Sequence, residues 1–176
     1  MKEQVLNFEL NGEIVETYAD PSWSLLRLLR SHFNLIGARE GCGKGECGTC
    51  TVLLDGKAVN SCLVPAGKVE KRRVLTIEGV TREGLSRGAK VHPLQAAFVE
   101  KGAVQCGFCT PGMIMSAYAV LKDNPSPSPK QVREAISGNL CRCSGYKQIE
   151  EAVLDTAKTM LGKQGNRQQS LNKPYR

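Results

Sequence analysis

The sequence predicts an α+β protein in which a small sheet carrying one helix is followed by a four-helix bundle. Short strands of alternating polarity, punctuated by Asn11-Gly12 and Asp55-Gly56, occupy the chain up to Ile77. From Leu94 onward apolar residues recur at helical intervals behind capping residues. Eight cysteines fall into two groups of four, one in each half.

The elements follow in order. Leu6, Phe8 and Leu10 alternate with polar residues up to the Asn11-Gly12 turn, and Ile14, Val15, Thr17 and Tyr18 supply the return strand. Asp20-Pro21 offers an N-cap, with proline in the first turn, for an amphipathic helix bearing Leu25, Leu26, Leu28 and Leu29 and ending near Ser31. Thr51 to Leu54 and Lys57 to Asn60 flank Asp55-Gly56 as a second hairpin, whose return strand carries Cys62 back toward the earlier cysteines, and Val74 to Ile77 closes the sheet. Gly79 to Lys90, with its glycines and charges, reads as an interdomain linker.

Beyond it, Leu94 to Lys101 forms one helix, and Thr110 caps a second with Pro111 at its first position. Ser128-Pro129-Lys130-Gln131 is a capping box for a third, with Val132 and Ile136 turned inward. Ile149, Ala152, Val153, Ala157 and Met160 give a fourth, from about Gln148 to Leu161, one apolar face to pack into the bundle. The expected division is a sheet domain at 1–80, a helical domain at 81–161, and a polar tail at 162–176 that is too rich in glutamine and lysine to order itself.

The cysteine spacing names a chemistry. Cys42-x4-Cys47-x2-Cys50 followed by Cys62 has the spacing of a plant-type [2Fe-2S] loop. Gly41, Gly43, Gly45 and Gly48 allow that loop to wrap a cluster closely with backbone N–H groups aimed at its sulfurs. Cys106-x2-Cys109 with Cys141-x-Cys143 supplies four more thiolates at helix ends, where free N–H groups favour the ionised form. Two rival uses of cysteine compete with this one. A disulfide framework belongs to an oxidising compartment, and Met1 to Gly12 has no signal-peptide pattern. Zinc would suit Cys106-x2-Cys109 as half of a four-thiolate site, but not the glycine-threaded x4 spacing of the first group.

Composition excludes other classes. The apolar stretches are broken by polar residues far short of the ~20 that a membrane span needs, so the chain is expected to be soluble and cytoplasmic. Its net charge of +7 is scattered without stacking aromatics, and Lys71-Arg72-Arg73 is read as a partner-facing or solvated loop rather than a nucleic-acid site. Gly43-x-Gly45-x-x-Gly48 matches a dinucleotide fingerprint only formally, because it is threaded with cysteines and leads into a strand. His32 and His92 have no implied partner and are read as structural.

Four segments carry a resemblance: Glu40 to Val52, His92-Pro93-Leu94-Gln95, Gln105 to Met113 and Gly138 to Tyr146. Together they resemble the iron–sulfur subunit of the molybdenum hydroxylases, the xanthine dehydrogenase family that also includes carbon monoxide dehydrogenase and aldehyde oxidoreductases. Thr49 and Ser144 stand where that family often has alanine and threonine. The resemblance implies a ferredoxin-type β-grasp domain joined to a four-helix bundle. It implies an electron relay with two [2Fe-2S] clusters, one on Cys42, Cys47, Cys50 and Cys62 and one on Cys106, Cys109, Cys141 and Cys143. It further implies a large subunit holding the molybdenum-pterin cofactor and a medium subunit holding FAD, in a heterotrimer or a dimer of heterotrimers. The substrate site lies on another subunit and no catalytic residue on this one. The second cluster is then the one nearest the pterin, which Gln105 and Cys143 touch. Taken alone, Gln105 reads as an ordinary loop amide. Arg142, between two of these cysteines, reads either as a charge that tunes the neighbouring cluster or as a surface arginine.

Three functions of different kinds therefore stand at this level: the relay subunit, a free-standing two-cluster electron carrier, and a zinc-stabilised binding module. Iron and sulfide content separates the last from the others, and a co-purifying molybdenum subunit separates the first two.

Overall fold

The structure, a computed structural model, describes residues 3–171 of the 176, with side chains as far as Leu161. β1 (Gln4–Leu10) and β2 (Glu13–Ala19) pair antiparallel with Leu10 opposite Glu13. Asn11 and Gly12 both take positive φ, 54° and 88°, as a two-residue hairpin turn demands. β3 (Thr51–Leu54) and β4 (Lys57–Asn60) make the second hairpin across Asp55-Gly56. β5 (Arg73–Leu75) joins the two, parallel to β1 and antiparallel to β3, in a five-stranded sheet ordered β2-β1-β5-β3-β4.

α1 (Leu25–Arg27) continues as a π-helical turn over Leu28–His32. This winding buries Leu25, Leu26, Leu28 and Leu29 together with Leu6, Phe8, Val52 and Val74 in the sheet core. The N-cap is Ser24, not the expected Asp20. The Asp20 carboxylate accepts from Ser22 N at 2.9 Å and Ser22 Oγ at 2.6 Å, closing a turn of its own, while Ser24 Oγ accepts from Arg27 N at 3.1 Å.

The expected linker is also corrected. Ile77, expected to end the last strand, opens α2 (Ile77–Ser86), which covers most of Gly79 to Lys90 and buries Val80. A Cβ at Gly79 would collide with the Asn11 side chain and one at Gly84 with the His92 backbone, so these glycines mark close packing rather than flexibility. α3 (Pro93–Glu100) begins at buried His92, whose Nδ1 accepts from Leu94 N at 3.2 Å while the Gln95 side chain accepts from His92 N at 3.1 Å. His32, at the other predicted position, hydrogen-bonds Thr17 Oγ1. Both histidines are structural.

α4 (Thr110–Asp123) starts one residue earlier than expected, with Cys109 as N-cap and Thr110 inside the first turn. α5 (Pro129–Ile136) has the anticipated capping box, Ser128 Oγ accepting from Gln131 N at 3.3 Å and Gln131 Oε1 from Ser128 N at 2.8 Å. α6 (Tyr146–Leu171) runs ten residues past Leu161, so the expected disordered tail is helical as far as Leu171. The remainder of the expected tail, at 172–176, lies outside the described residues.

The second core gathers Leu94, Phe98, Met113, Met115, Val132, Ile149 and Val153 from the helices together with Leu53. β3 is therefore buried on both faces, Val52 and Leu54 in the sheet core and Leu53 in the helical one. With α4 lying against β3, the loop before β3 meets the loops at the ends of α4 and α5. Among the described residues no helix is long and apolar enough to cross a membrane.

Candidate metal centres

The first centre is the loop between α1 and β3. The N–H groups of Lys44 and Glu46 donate to Cys42 Sγ at 3.5 and 3.3 Å. Donation from Lys44, then from Cys47 and Glu46, holds the Cys42 thiol down at about 6, so the free thiol ionises near neutrality. Such N–H groups suit anionic sulfur. Gly45 has φ of 82° and its absent Cβ would collide with the Leu63 side chain, so the loop closes here only with glycine. Cys50 is buried at the mouth of β3, and Cys62 follows β4 on the hairpin's return. Burial, and then the Cys50 thiol beside it, push Cys62 up to about 11.

The second centre lies between the start of α4 and the α5–α6 connection. Donation from Phe108 N, then the Cys143 thiol, lowers Cys106. Burial, then the Cys141 thiol, pushes Cys109 up to about 12. Burial opposes ionisation of Cys141, but N–H donation from Gly145 and the Cys109 thiol outweigh it and its value falls. Cys106, Cys109, Cys141 and Cys143 line one small cavity with Gln105 and Thr110. Tyr146 Oη accepts from Cys141 N at 2.8 Å. Gln105 Nε2 donates to Cys143 O at 3.4 Å, and Arg142 is exposed.

The eight thiols thus associate in pairs: Cys42 with Cys47, Cys50 with Cys62, Cys106 with Cys143, and Cys109 with Cys141. Among the described residues no group of three or more His, Cys, Asp or Glu side chains is placed to hold a single ion. Two pairs of thiolates are the donor set that a two-iron cluster would take, one pair to each iron. Burial keeps Cys62 and Cys109 protonated when free, so loading metal must displace those protons. The donor set fits a [2Fe-2S] cluster at each centre.

The two centres touch through residues to which the sequence reading gave no role. Leu140 N donates to Cys47 O at 2.9 Å. Asn139 Nδ2 donates to Gly48 O at 2.8 Å and Thr51 Oγ1 at 3.1 Å, and its Oδ1 accepts from Ser116 Oγ at 2.7 Å. A Cβ on Gly48 would collide with Gly138 O, and one on Gly112 with Gly48 O. Arg39 donates to Gly107 O at 2.5 Å and lies 5.5 Å from the Phe108 ring centroid. Local pattern carries no signal for such contacts, because Asn139 and Gly48 are 91 residues apart.

Comparison with known proteins bears on both centres. The 2Fe-2S iron-sulfur cluster binding domain family matches residues 8–76, and the [2Fe-2S] binding domain family matches residues 76–154. The chain is 46% identical over 153 residues to the nicotinate dehydrogenase small FeS subunit of Eubacterium barkeri, covering 87% of this chain and 94% of that one. It is 43% identical over 153 residues to the xanthine dehydrogenase iron-sulfur-binding subunit of Escherichia coli O157:H7, covering 85% and 92%. The crystal structure of quinoline 2-oxidoreductase from Pseudomonas putida 86 contains a chain of 39% identity that superposes with a TM-score of 0.84 over 94% of this chain and 99% of that one.

Proposed function

The chain belongs to the iron–sulfur small subunits of the molybdenum hydroxylase (xanthine dehydrogenase) family, and on that premise we propose that Cys42, Cys47, Cys50 and Cys62 hold one of its two [2Fe-2S] clusters and Cys106, Cys109, Cys141 and Cys143 the other. Its function is electron transfer within an oxidoreductase whose substrate site lies on another subunit. When bound, each cluster takes up and passes on one electron at a time, and in this way the chain relays electrons from the molybdenum-pterin cofactor of a partner subunit toward FAD or an external acceptor.

The chain's own residues do the holding. Backbone N–H groups of the glycine loop and of the Cys141–Gly145 turn stabilise anionic sulfur, while Asn139, Gly48 and Gly112 fix the two loops against each other. The Leu140-to-Cys47 hydrogen bond gives a short connection between the loops, since Leu140 adjoins Cys141. The observation that carries the ligand assignment is the pairing of eight thiols into two separate four-thiol groups.

The second centre is assigned to the pterin side. Phe108 is 46% and Leu140 55% exposed beside it, with Val104 and Tyr146 also exposed, which suits burial against a larger subunit. Gln105 and Cys143, already hydrogen-bonded to each other, are assigned the pterin contact. The complex is assigned as a heterotrimer with a large molybdopterin-binding and a medium FAD-binding subunit, or a dimer of such heterotrimers, in the cytoplasm. The two lobes are taken as residues 1–80 and 81–161, meeting within α2.

The test is iron, acid-labile sulfide and EPR on the natively purified complex. About four irons per chain and two distinct signals are expected, and serine at any one cysteine should abolish or alter only its own group's signal. Stoichiometric zinc without sulfide, or a substitution in one group that removes only the other group's signal, contradicts the assignment.

A further inference from the structure

Among the described residues, the Thr110 hydroxyl is the one buried side-chain polar atom without a hydrogen-bond partner. An unpaired buried hydroxyl costs on the order of 1–3 kcal/mol, so a native chain keeps one only where something supplies the missing partner. The atom is inaccessible in the isolated chain, which leaves neither bulk water nor a partner subunit able to reach it. Thr110 does line the small cavity bounded by Cys106, Cys109, Cys141 and Cys143. Nor does the hydroxyl serve as a cap, because Cys109 occupies that position. The first centre offers a contrast. There Thr49 Oγ1 already donates to Arg39 O at 3.0 Å, with Cys47 Sγ 3.3 Å away.

Resting on the ligand assignment above, we propose that the Thr110 hydroxyl donates a hydrogen bond to a sulfur of the second cluster and thereby raises that cluster's reduction potential. The direction follows from charge. One-electron reduction makes the cluster one unit more negative and strengthens an O–H donor's interaction with its sulfurs, so the donor favours the reduced form. Burial strengthens the effect by lowering the local dielectric. The hydroxyl keeps its proton and no bond of the threonine breaks. On the relay assigned above, the electron would come from the molybdenum side and leave toward the first cluster. Thr110 is thus a tuning residue rather than a catalytic one.

The test is an EPR-monitored redox titration of the intact complex carrying Thr110→Val, Thr110→Ser or Thr110→Ala, with iron content measured for each. Valine keeps the shape and removes the donor. At any fixed ambient potential its reduced-to-oxidised ratio at the second cluster should fall about tenfold, equivalent to about 59 mV for a one-electron couple. The first cluster's signal should not move, and serine should stay within about twofold of wild type. Should valine lose the cluster, alanine is titrated in its place with the same expectation. Unchanged potentials in a fully loaded valine or alanine variant overturn the proposal. Loss of the cluster in both also overturns it, since the hydroxyl would then be retaining the cluster rather than setting its potential. A wild-type complex with only one iron–sulfur signal would instead defeat the ligand assignment, and the proposal with it.

Discussion

Asn139→Ala tests whether the two centres are held together by the buried amide. The residue is 3% exposed and makes three hydrogen bonds, to Gly48 O, Thr51 Oγ1 and Ser116 Oγ. Gly48 O is not orphaned by its loss, because Thr51 N at 3.1 Å and Thr51 Oγ1 at 2.7 Å still donate to it. The Ser116 hydroxyl does lose its acceptor. Three bonds at a net ~1 kcal/mol each give a loss of about 3 kcal/mol. For a chain of this size that is a fall of roughly 6–12 °C in melting temperature. Asn139→Asp should cost more, since it sets a carboxylate oxygen against the Gly48 carbonyl. Calorimetry of the purified complex, with visible absorbance reporting the clusters, reads the effect. A double-mutant cycle with Ser116→Ala should return a coupling of about 1 kcal/mol. Melting within about 2 °C of wild type for both the alanine and aspartate variants would refute the reasoning.

Other predictions follow from packing and charge. Gly84→Ala gains helix propensity of up to about 1 kcal/mol but drives a Cβ into the His92 backbone, so a net loss of roughly 1–3 kcal/mol is expected in calorimetry. Burial, with Arg87 and Lys122 adding to it and Glu83 opposing, holds His92 below its ordinary 6.5. The unfolded chain therefore binds the proton first, so this contribution to stability is full above pH 6.5 and is lost as pH falls through the folded value. His92→Asn, which keeps an acceptor and removes the titration, should flatten the dependence of melting temperature between pH 7 and 5, and an unaltered slope would count against it. Arg142 is exposed and solvent-screened, so Arg142→Gln should lower the second cluster's potential by less than Thr110→Val does. A larger shift in the same titration would reverse that ranking.

The strands and most helices were legible because their signals are local. Asn11-Gly12 and Asp55-Gly56 specify tight turns, and Ser128 with Gln131 satisfies two donors within one turn. The cysteine spacing was equally local for the first centre, where three of four thiols sit on one loop. The errors arose where the deciding partner is distant in sequence. Gly79 and Gly84 read as linker because their reason for being glycine, contact with Asn11 and His92, is tertiary. Asp20 lost the cap to Ser24 because Ser22 captured its carboxylate. Asn139 carries no local signal, since its amide acts on Gly48 and Thr51, across the chain. Thr110 carries the local signal of a cap, whereas its hydroxyl is buried without a partner in a residue that lines the cavity of four cysteines.

The order of the relay is the central claim, and Cys47→Ser examines it most directly. The substitution strikes the first centre and leaves Gln105 and Cys143, assigned above to the pterin contact, in place. In rapid freeze-quench EPR after mixing the complex with its reducing substrate, molybdenum and the second cluster should still take up electrons at wild-type rates. The first cluster's signal should be absent or altered, and turnover with the external acceptor should fall. A variant whose molybdenum no longer accepts electrons, with its substrate pocket intact and its second cluster present, would contradict the assigned order.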